Sequence, residues 1–360
     1  MLIAGAGMAG LCAAARAREL GAEPVVLEKG DRAGGSMLLS SCVVWRYRSF
    51  EEFRAQCHEG DERLQRLVFD RLDEGLEWLE SLGAPVVERD TGNPLTTGVR
   101  FDPAGLTEAL ARAAGEVVFH KPVTVTVTVT DGPLVLATGG FQGDRELVER
   151  FVKPAGELRL RANPWSAGDG LRVGLERGAA LTDGLDEFYG RNMADVDFSE
   201  SEFVPLAQVY GRFARILNEN GEEFFDGEVS WSELDLVQAT ARQPSARAWY
   251  VLDEEALDQR VRGRPVREIV AEAPTRVELS ELPFEAPAGA IAAVRVAAAI
   301  THTIGGLPVD EAARVLDEQG EPIEGLFAAG ADVGGISTGG YASGLASALV
   351  LGLTAAEAAR

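Results

Sequence analysis

The stretch Gly5-Ala6-Gly7-Met8-Ala9-Gly10 decides the fold, because its glycines follow the spacing G-x-G-x-x-G directly after the apolar run Leu2-Ile3-Ala4. That run predicts a buried strand, and the alanine-rich segment from Leu11 to Leu20 predicts a helix. A second apolar run over residues 25–27 leads to Glu28, eighteen residues after the last glycine of the motif. Strand, glycine turn, helix, strand and acid in this order form the fingerprint of a dinucleotide-binding βαβ unit.

The residues of this motif have separate physical roles. The first glycine permits the tight turn, the second lets the backbone approach a pyrophosphate, and the third lets the helix pack on the strand. The helix N-terminus offers free N–H groups and a positive dipole end to the phosphates. The acid accepts hydrogen bonds from the ribose hydroxyls. We therefore predict that the dinucleotide is bound by Gly5, Gly7, Met8, Ala9, Gly10 and Glu28.

Length and composition limit the classes to which this protein can belong. Its 360 residues indicate more than one ordinary domain, or one large α/β domain with an insertion. It has no apolar run long enough to span a membrane, and its net charge of −23 argues against nucleic acid as a partner. The first strand begins at residue 2, and the three cysteines show no C-x-x-C spacing. We therefore expect a cytoplasmic protein without a signal peptide or a metal site.

A loop rich in glycine and serine follows the second strand. By itself, such a loop is equally well explained as a flexible connection. Together with the preceding acid, however, the run E-K-x-x-x-x-G-G-S resembles flavoproteins of the fumarate reductase and 3-ketosteroid dehydrogenase group. The resemblance implies that the loop contacts the phosphates and the isoalloxazine ring of FAD. The loop residues assigned to this role are Lys29, Gly34, Gly35, Ser36, Ser40 and Ser41.

Two further stretches are similar to that group. Residues 137–141 read A-T-G-G-F at the end of an apolar run, and residues 166–170 precede a predicted helix. The resemblance implies cofactor contacts for Ala137, Thr138, Gly139 and Asp169, although Asp169 is equally explained as an acid that caps a helix. Val123 opens the segment 123–129, in which Val and Thr alternate, which predicts a half-buried strand. We include Val123 among the residues that bind the cofactor.

The last sixty residues carry the most specific match. They contain H-T-x-G-G-L at residues 302–307, a predicted hairpin at 315–323, G-L-x-A-A-G-x-D at 325–332, and a glycine-rich segment before the final helix. The resemblance implies that Asp332 binds the ribitol hydroxyls and that the N-terminal amides of the final helix face the flavin O2. The residues of this part that are assigned to FAD are Gly306, Gly330, Asp332, Ser343, Gly344 and Leu345.

An FAD site under a cap suits hydride transfer between flavin N5 and a carbon beside a carbonyl or carboxylate. The family's histidine at the H-T-x-G-G-L motif contacts the substrate, so His302 is the candidate that polarises the substrate oxygen. A structural histidine that caps a strand end is the alternative. Tyr341 either donates to a ketone oxygen or packs under the cap. Tyr189 and Arg191 fall roughly where the first cap segment of the relatives contributes a substrate ligand.

The chain departs from the fumarate reductases at two arginines. It has Gly339, or a neighbouring glycine, where those enzymes carry an arginine that binds a substrate carboxylate. It also has Ser230-Trp231-Ser232 where their proton-donating arginine is expected. We therefore expect a small-molecule substrate that is a cyclic ketone, an enone or an unsaturated acid, and not a C4-dicarboxylate.

These observations predict an α/β protein with a Rossmann-like FAD-binding domain of the glutathione-reductase type. The domain comprises residues 1–188 and 301–360, and an α+β capping domain, residues 189–300, is inserted into it. The predicted function is that of an FAD-dependent dehydrogenase or ene-reductase. An oxidase or hydroxylase that uses oxygen, and a non-catalytic flavin-binding protein, remain alternatives. No second G-x-G-x-x-G follows a strand, so no NAD(P)H site is expected, and the electron partner is open.

Helical periodicity supplies three more expectations. Leucines at helical spacing predict a helix over residues 61–82, and residues 104–114 predict another. The charged segment 252–262 predicts a surface helix. In the cap, N-x-x-G-x-x-F at residues 218–224 predicts a hairpin turn.

Overall fold

The structure, a computed structural model, describes residues 1–124, 132–152, 157–225, 227–261 and 263–359. Within these ranges the strands are β1 (Leu2–Ala4), β2 (Val25–Leu27), β3 (Val43–Tyr47), β4 (Val86–Glu88), β5 (Thr96–Phe101), β6 (Val117–Val118), β7 (Leu134–Leu136), β8 (Arg159–Leu160), β9 (Phe188–Ala194), β10 (Arg215–Leu217), β11 (Arg247–Leu252), β12 (Arg260–Val261), β13 (Arg264–Pro265), β14 (Arg276–Val277), β15 (Ala292–Thr303), β16 (Arg314–Leu316) and β17 (Pro322–Ala328).

The helices in the same ranges are α1 (Met8–Glu19), α2 (Gly35–Leu38), α3 (Phe50–Gln56), α4 (Glu62–Ser81), α5 (Pro103–Ala114), α6 (Arg145–Phe151), α7 (Asp169–Glu176), α8 (Leu234–Ala241), α9 (Glu254–Leu257), α10 (Val266–Glu272) and α11 (Gly344–Ala358). No helix among the described residues combines the length and apolar composition needed to cross a bilayer.

The chain divides into two compact units. The first unit comprises Met1–Leu147, Ala162–Glu187 and His302–Arg360, and the second comprises Val148–Arg161 and Phe188–Thr301. The domain boundaries expected from the sequence differ from this division mainly at residues 148–161, which group with the second unit.

A six-stranded sheet forms the centre of the first unit, in the order β16-β17-β7-β1-β2-β6. All neighbouring strands pair in parallel except β16, which is antiparallel to β17. Helix α1 packs against α5 and α11, and a Cβ at Gly352 would lie 2.5 Å from the Ala9 carbonyl oxygen, so the backbones of α1 and α11 approach closely. The parallel sheet confirms the predicted α/β class with a Rossmann-like dinucleotide fold.

Local signals explain where several helices of the first unit begin. The Asp61 carboxylate accepts the N–H of Arg63 at 2.9 Å and caps α4. The Asp102 carboxylate accepts the N–H of Gly105 at 2.7 Å and caps α5, which has a proline in its first turn. The helices predicted over residues 61–82 and 104–114 are therefore confirmed. A separate antiparallel sheet, β3-β5-β4, belongs to the same unit.

The second unit is built on the sheet β10-β11-β15-β14, with β8 and β9 also pairing with β15. Its core packs aromatic and branched side chains such as Tyr210, Tyr250 and Val294. The predicted turn at residues 218–224 is present, since the Gly221 N–H donates to Asn218 O at 3.0 Å and Leu217 bridges Glu223.

Two predictions about local structure need correction or a limit. The helix expected over 252–262 is wrong beyond one turn, because the chain leaves α9 after Leu257 and forms the hairpin β12-β13. Gly263, with φ of +81°, supplies the left-handed backbone conformation in this hairpin, and this turn signal follows the charged segment directly. The strand expected over 123–129 lies outside the described residues from 125 onward, and the described residues 123–124 form no strand.

Candidate functional site

The three motif glycines differ in what surrounds them. Gly5 has φ of +104°, and a Cβ there would lie 2.2 Å from the Ala137 carbonyl oxygen. A Cβ at Gly10 would lie 1.9 Å from the Gly5 carbonyl oxygen. At Gly7, no described atom lies within 4 Å of the Cβ position. The first and third glycines are therefore required by the fold, while the second leaves the backbone at the N-terminus of α1 open to a ligand.

Glu28 is a buried carboxylate held by the turn that it follows. Its Oε2 accepts the N–H of Ala6 at 2.7 Å, and its Oε1 accepts the N–H of Gly30 at 2.7 Å. A carboxylate has about four lone-pair sites, so each oxygen can accept one further bond. The side chain is thus fixed beside the glycine turn with capacity left for two hydroxyl donors, as a ribose presents.

The loop after Glu28 folds back onto the glycine turn. The Gly34 N–H donates to Ala6 O at 2.8 Å, and a Cβ at Gly35 would lie 3.2 Å from the Gly7 Cα. Ser36 lies in α2, the Ser40 hydroxyl bonds within its own turn to Met37 O at 2.9 Å, and Ser41 is exposed. The structure therefore brings Gly34 and Gly35 to the motif, and Ser36 follows them in α2.

Lys29 and Asp169, both assigned to the cofactor from the sequence, bind each other. The Lys29 Nζ lies 3.0 Å from the Asp169 Oδ2. Asp169 is the first residue of α7, where a negative charge is also favoured by the helix dipole. The ion pair joins the loop after β2 to α7 within the first unit.

Asp332 is buried against the end of β7. Its carboxylate accepts the backbone N–H and the hydroxyl of Thr138, the hydroxyl at 2.9 Å, and the N–H of Gly140 at 3.1 Å. Burial raises the pKa of this carboxyl group to about 6, against the lowering effect of these bonds. The motifs A-T-G-G-F and A-A-G-x-D, distant in sequence, therefore form one polar cluster.

The cluster also contains buried polar atoms that face Gly140. A Cβ at this glycine would lie 2.6 Å from the Thr303 Oγ1 and 2.9 Å from the Gln142 Oε1. Neither atom has a hydrogen-bond partner within the described part of the chain. Buried polar atoms normally have partners. The buried Thr303 and Gln142 oxygens, the open backbone at Gly7 and the fixed Glu28 carboxylate together fit a site that binds a large polar cofactor such as FAD.

The remaining cofactor residues of the first unit lie around this cluster. Gly139, with φ of +95°, is close to Ser166, and a Cβ at Gly306 would lie 2.6 Å from Asp332 O. A Cβ at Gly330 would lie 3.1 Å from the Ala9 Cβ, so this residue packs on α1. Val123 is buried outside any strand.

His302 lies at the N-terminus of α11. A Cβ at Gly344, the first residue of that helix, would lie 3.4 Å from the His302 Cε1. The Ser343 hydroxyl accepts the Ala346 N–H at 3.3 Å and caps the helix, while Gly344 is exposed and Leu345 partly so. Burial of the imidazole lowers the pKa of His302 to about 4, so the ring is neutral at pH 7.

Tyr341 lies in the segment before α11, residues 334–343, which we call the C-terminal glycine loop. Its ring packs on Trp45, with the ring centroids 5.5 Å apart. Its carbonyl oxygen accepts the hydroxyl of Tyr47 at 2.6 Å. The structure therefore brings Tyr341, His302 and the N-terminus of α11 into one part of the first unit.

Tyr189 and Arg191 belong to the second unit, on β9. The Arg191 side chain is 8% exposed, lies 3.9 Å from the equally buried Glu233 carboxylate, and donates to Ser232 O. Its guanidinium lies 5.4 Å from the centroid of the Tyr189 ring. Burial raises the pKa of Glu233, against the lowering effect of Arg191. The segment Ser230-Trp231-Ser232, where the resemblance led us to expect an arginine, is thus contacted by Arg191 from β9.

Several polar residues of these clusters have no counterpart among the sequence predictions. They are Gln65, Gln142, Thr303 and Glu187, whose Oε2 accepts the Gly339 N–H at 2.9 Å. Gln65 had a detectable signal, because it lies on the apolar face of a helix predicted from its leucines, where a polar residue needs a buried partner. Thr303 lies within the H-T-x-G-G-L motif at residues 302–307 but was not assigned a role, and Gln142 and Glu187 have no local pattern of this kind.

Comparisons with known proteins agree with this geometry. The model of the FAD binding domain family matches residues 1–118 and 105–347. A probable fumarate reductase of Shewanella frigidimarina is 24% identical over 419 residues, covering 93% of this chain and 70% of that protein.

Solved structures share the fold. The structure of the open conformation of a flavocytochrome c3 fumarate reductase has a TM-score of 0.72 at 23% identity. The alignment covers 99% of this chain and 77% of the fumarate reductase chain. The structure of the 3-ketosteroid-Δ4-(5α)-dehydrogenase of Rhodococcus jostii RHA1, in complex with 4-androstene-3,17-dione, has a TM-score of 0.73 at 19% identity. The alignment covers 99% of this chain and 96% of that chain. The chain therefore belongs to the FAD binding domain family, and it is an FAD-dependent oxidoreductase that shares its fold with fumarate reductases and ketosteroid dehydrogenases.

Proposed function

We propose that this protein transfers a hydride between FAD and one carbon of a carbon–carbon bond next to an uncharged carbonyl group. Bound FAD supplies the hydride donor or acceptor at N5. The observation that carries the proposal is the uncharged character of His302 and of the C-terminal glycine loop beside it. The pKa of His302 is about 4, and residues 334–343 include no lysine or arginine.

Neutral donors suit a ketone oxygen. A neutral imidazole N–H and the Tyr341 phenol can each donate a hydrogen bond, and neither needs an opposite charge on the substrate. A buried carboxylate, in contrast, is costly unless a cation pairs with it. The positive end of the α11 dipole favours negative charge that develops nearby during hydride transfer.

Charge compensation in the second unit supports the same substrate class. Arg191 is the arginine that the sequence placed among the substrate residues, and its charge is balanced by Glu233 at 3.9 Å. We propose that Arg191 and Tyr189 contact the substrate as a neutral group of polar donors. A second carboxylate on the substrate would then meet an arginine whose charge Glu233 already balances.

The relatives bear on the substrate in different directions. The similar protein of Shewanella frigidimarina is named for fumarate, a dicarboxylate, whereas the ketosteroid dehydrogenase was solved with a neutral enone. The glycine at position 339 and the sequence Ser230-Trp231-Ser232 remove two arginines that a dicarboxylate would use. We therefore propose a cyclic ketone or enone as substrate.

The cofactor contacts remain proposals. We propose that FAD is held by the glycine turn, Glu28, the loop at Gly34–Ser36, the cluster of Thr138 and Asp332, and the N-terminus of α11. We also propose that residues 1–188 with 301–360 form the FAD-binding domain and that 189–300 form the cap. A cytoplasmic setting is proposed because Cys12, Cys42 and Cys57 are all free and buried thiols.

Anaerobic reoxidation of the reduced protein tests the proposed function. The protein is loaded with FAD, reduced with dithionite and mixed in separate experiments with 2-cyclohexen-1-one, 4-androstene-3,17-dione and fumarate, while flavin absorbance is followed. We expect an enone to restore the oxidised spectrum and fumarate to leave it unchanged. Faster reoxidation by fumarate would contradict the proposal. Reoxidation by oxygen alone, with peroxide release, would favour an oxidase.

A further inference from the structure

The C-terminal glycine loop is held in place from outside. Four of its ten residues are glycines, so its own backbone has little stiffness. A segment of the same unit, residues 47–65, supplies bonds to it. The Asp61 N–H donates to Gly335 O at 2.7 Å, and a Cβ at Gly340 would lie 1.6 Å from Gln56 O. The two backbones are therefore in direct contact.

Tyr47 fixes the part of the loop that carries Tyr341. Tyr47 is 1% exposed, and its ring packs on Trp45 and Phe53 with centroid distances of 5.3 and 5.4 Å. Its hydroxyl donates to Tyr341 O at 2.6 Å. Because the Tyr341 ring also packs on Trp45, the same aromatic group sets both the backbone and the ring of Tyr341.

Gln65 fixes the earlier part of the loop. It is fully buried, and its Nε2 donates to Ile336 O and to Cys57 O, both at 2.8 Å. Its Oε1 accepts from the Arg54 Nη1 at 2.7 Å. The bond to Ile336 O joins the segment 54–65 to the loop, and the bonds with Cys57 and Arg54 fix the amide within its own segment. A buried group of this kind is costly to leave unsatisfied.

We propose that Tyr47 and Gln65 are positioning residues, which hold the C-terminal glycine loop so that Tyr341 and the N-terminus of α11 keep their places during the reaction. The inference rests on the proposed function, because it gives the loop a role in placing the substrate. Neither residue needs to touch substrate or cofactor. Tyr47 and Gln65 act by holding the backbone of a glycine-rich loop in one conformation.

Tyr47→Phe is the most selective test. It deletes one hydroxyl and keeps the ring that packs on Trp45 and Phe53. Small displacements of a reacting group lower rates steeply, so we expect the limiting rate of flavin reoxidation to fall about tenfold or more. The apparent dissociation constant of the substrate should change less. Tyr210→Phe is the matched control, since the buried Tyr210 hydroxyl donates to the Gln208 Oε1 at 2.8 Å in the second unit.

Gln65→Met and Gln65→Glu add a second pair of variants. The methionine side chain has similar length and no donor for Ile336 O. The introduced carboxyl group has a proton to donate when neutral and none when ionised, so its rate should recover at low pH. Gln65→Met should show no such recovery. Gln56→Met is the control, because the Gln56 side chain donates to the Glu52 Oε1 at 3.0 Å, a bond within α3 that does not reach the loop.

The experiment uses the FAD-loaded protein, reduced and mixed with varied concentrations of 2-cyclohexen-1-one, together with the flavin midpoint potential. We expect Tyr47→Phe and Gln65→Met to lower both the limiting rate and the potential, because a displaced α11 N-terminus stabilises the reduced flavin less. If the limiting rate and the potential are unchanged in Tyr47→Phe and Gln65→Met, or if Tyr210→Phe shifts them equally, the inference is overturned. If the wild type is not reoxidised by the enone, the proposed function fails, and the potentials alone decide on the positioning residues. If Gln65→Met does not fold, Tyr47→Phe decides.

Discussion

Alanine at Gly7 and alanine at Gly10 should damage this protein in different ways. Both residues belong to the same motif and lie three positions apart. At Gly7 the position of a Cβ is open, whereas at Gly10 it lies 1.9 Å from the Gly5 carbonyl oxygen and 3.3 Å from the Ile3 Cγ2. The first change should therefore affect the ligand, and the second should affect the fold.

The magnitudes follow from these distances. Gly7→Ala adds a methyl group in open space at the N-cap of α1, so the free energy of unfolding of the apoprotein should change by less than about 1 kcal/mol. The methyl group keeps a phosphate from the helix amides, and loss of one charge-assisted hydrogen bond costs about 1.5–3 kcal/mol. That corresponds to a dissociation constant for FAD about 10 to 100 times higher. Gly10→Ala forces α1 away from β1, and overpacking of this kind costs about 1–3 kcal/mol or more.

Two measurements on the same variants separate these effects. Urea unfolding of the apoprotein, followed by tryptophan fluorescence, gives the free energy of unfolding. Titration with FAD, followed by quenching of flavin fluorescence, gives the dissociation constant. If Gly7→Ala binds FAD as tightly as the wild type, the phosphates do not approach this residue. If it unfolds as readily as Gly10→Ala, the open space at Gly7 does not exist in solution.

Three further predictions concern buried charge. Glu28→Gln puts an amide NH₂ group against the N–H of Ala6 or Gly30. The free energy of unfolding of the apoprotein should therefore fall by about 1–3 kcal/mol, and the affinity for FAD should fall about tenfold. Unchanged urea unfolding would contradict this prediction. His302 has a folded pKa of about 4, below its unfolded value, so the unfolded state binds more protons between pH 4 and 6.5. Stability should therefore rise with pH across that window, by up to about 3 kcal/mol, and urea unfolding of His302→Gln should lack this part of the rise. Arg191→Met removes one of the two arginines, Arg191 and Arg212, that stabilise the buried Glu233 carboxylate. It should cost about 3 kcal/mol in thermal or urea unfolding, most of which Arg191→Met combined with Glu233→Met should restore.

The parts of the fold that the sequence predicted have local signals. The turn between β1 and α1 follows from the glycine spacing, and α4 and α5 follow from leucine periodicity and from the capping residues Asp61 and Asp102. The failed helix over 252–262 has a local signal as well, but the chain leaves α9 after Leu257 and forms the hairpin β12-β13, in which Gly263 has a φ of +81°. A charge pattern is a weak prior where a glycine turn follows closely.

The site could be predicted only as far as its motifs reached. The sequence identified Thr138 and Asp332 separately, but their hydrogen bonds join residues 194 positions apart. The bond from Gln65 to Ile336 O spans 271 positions. Pairings over such separations depend on the order of strands in the sheet and on the packing of α4. No pattern within one short stretch records them.

The strand order of the first sheet has a consequence for how the protein is made. Strand β7 lies between β1 and β17, with Leu134 in register with both Leu2 and Leu326. During synthesis, one edge of β7 therefore has no partner strand until β17, which ends at residue 328, has left the ribosome. In contrast, every segment of the second unit is available once residue 301 has emerged. Because contacts between distant segments form slowly, the second unit can fold first, and the proposed FAD site becomes complete only after α11 has emerged. Ribosome-bound chains that stop before β17 should accordingly expose an apolar sheet edge and be a substrate for chaperones.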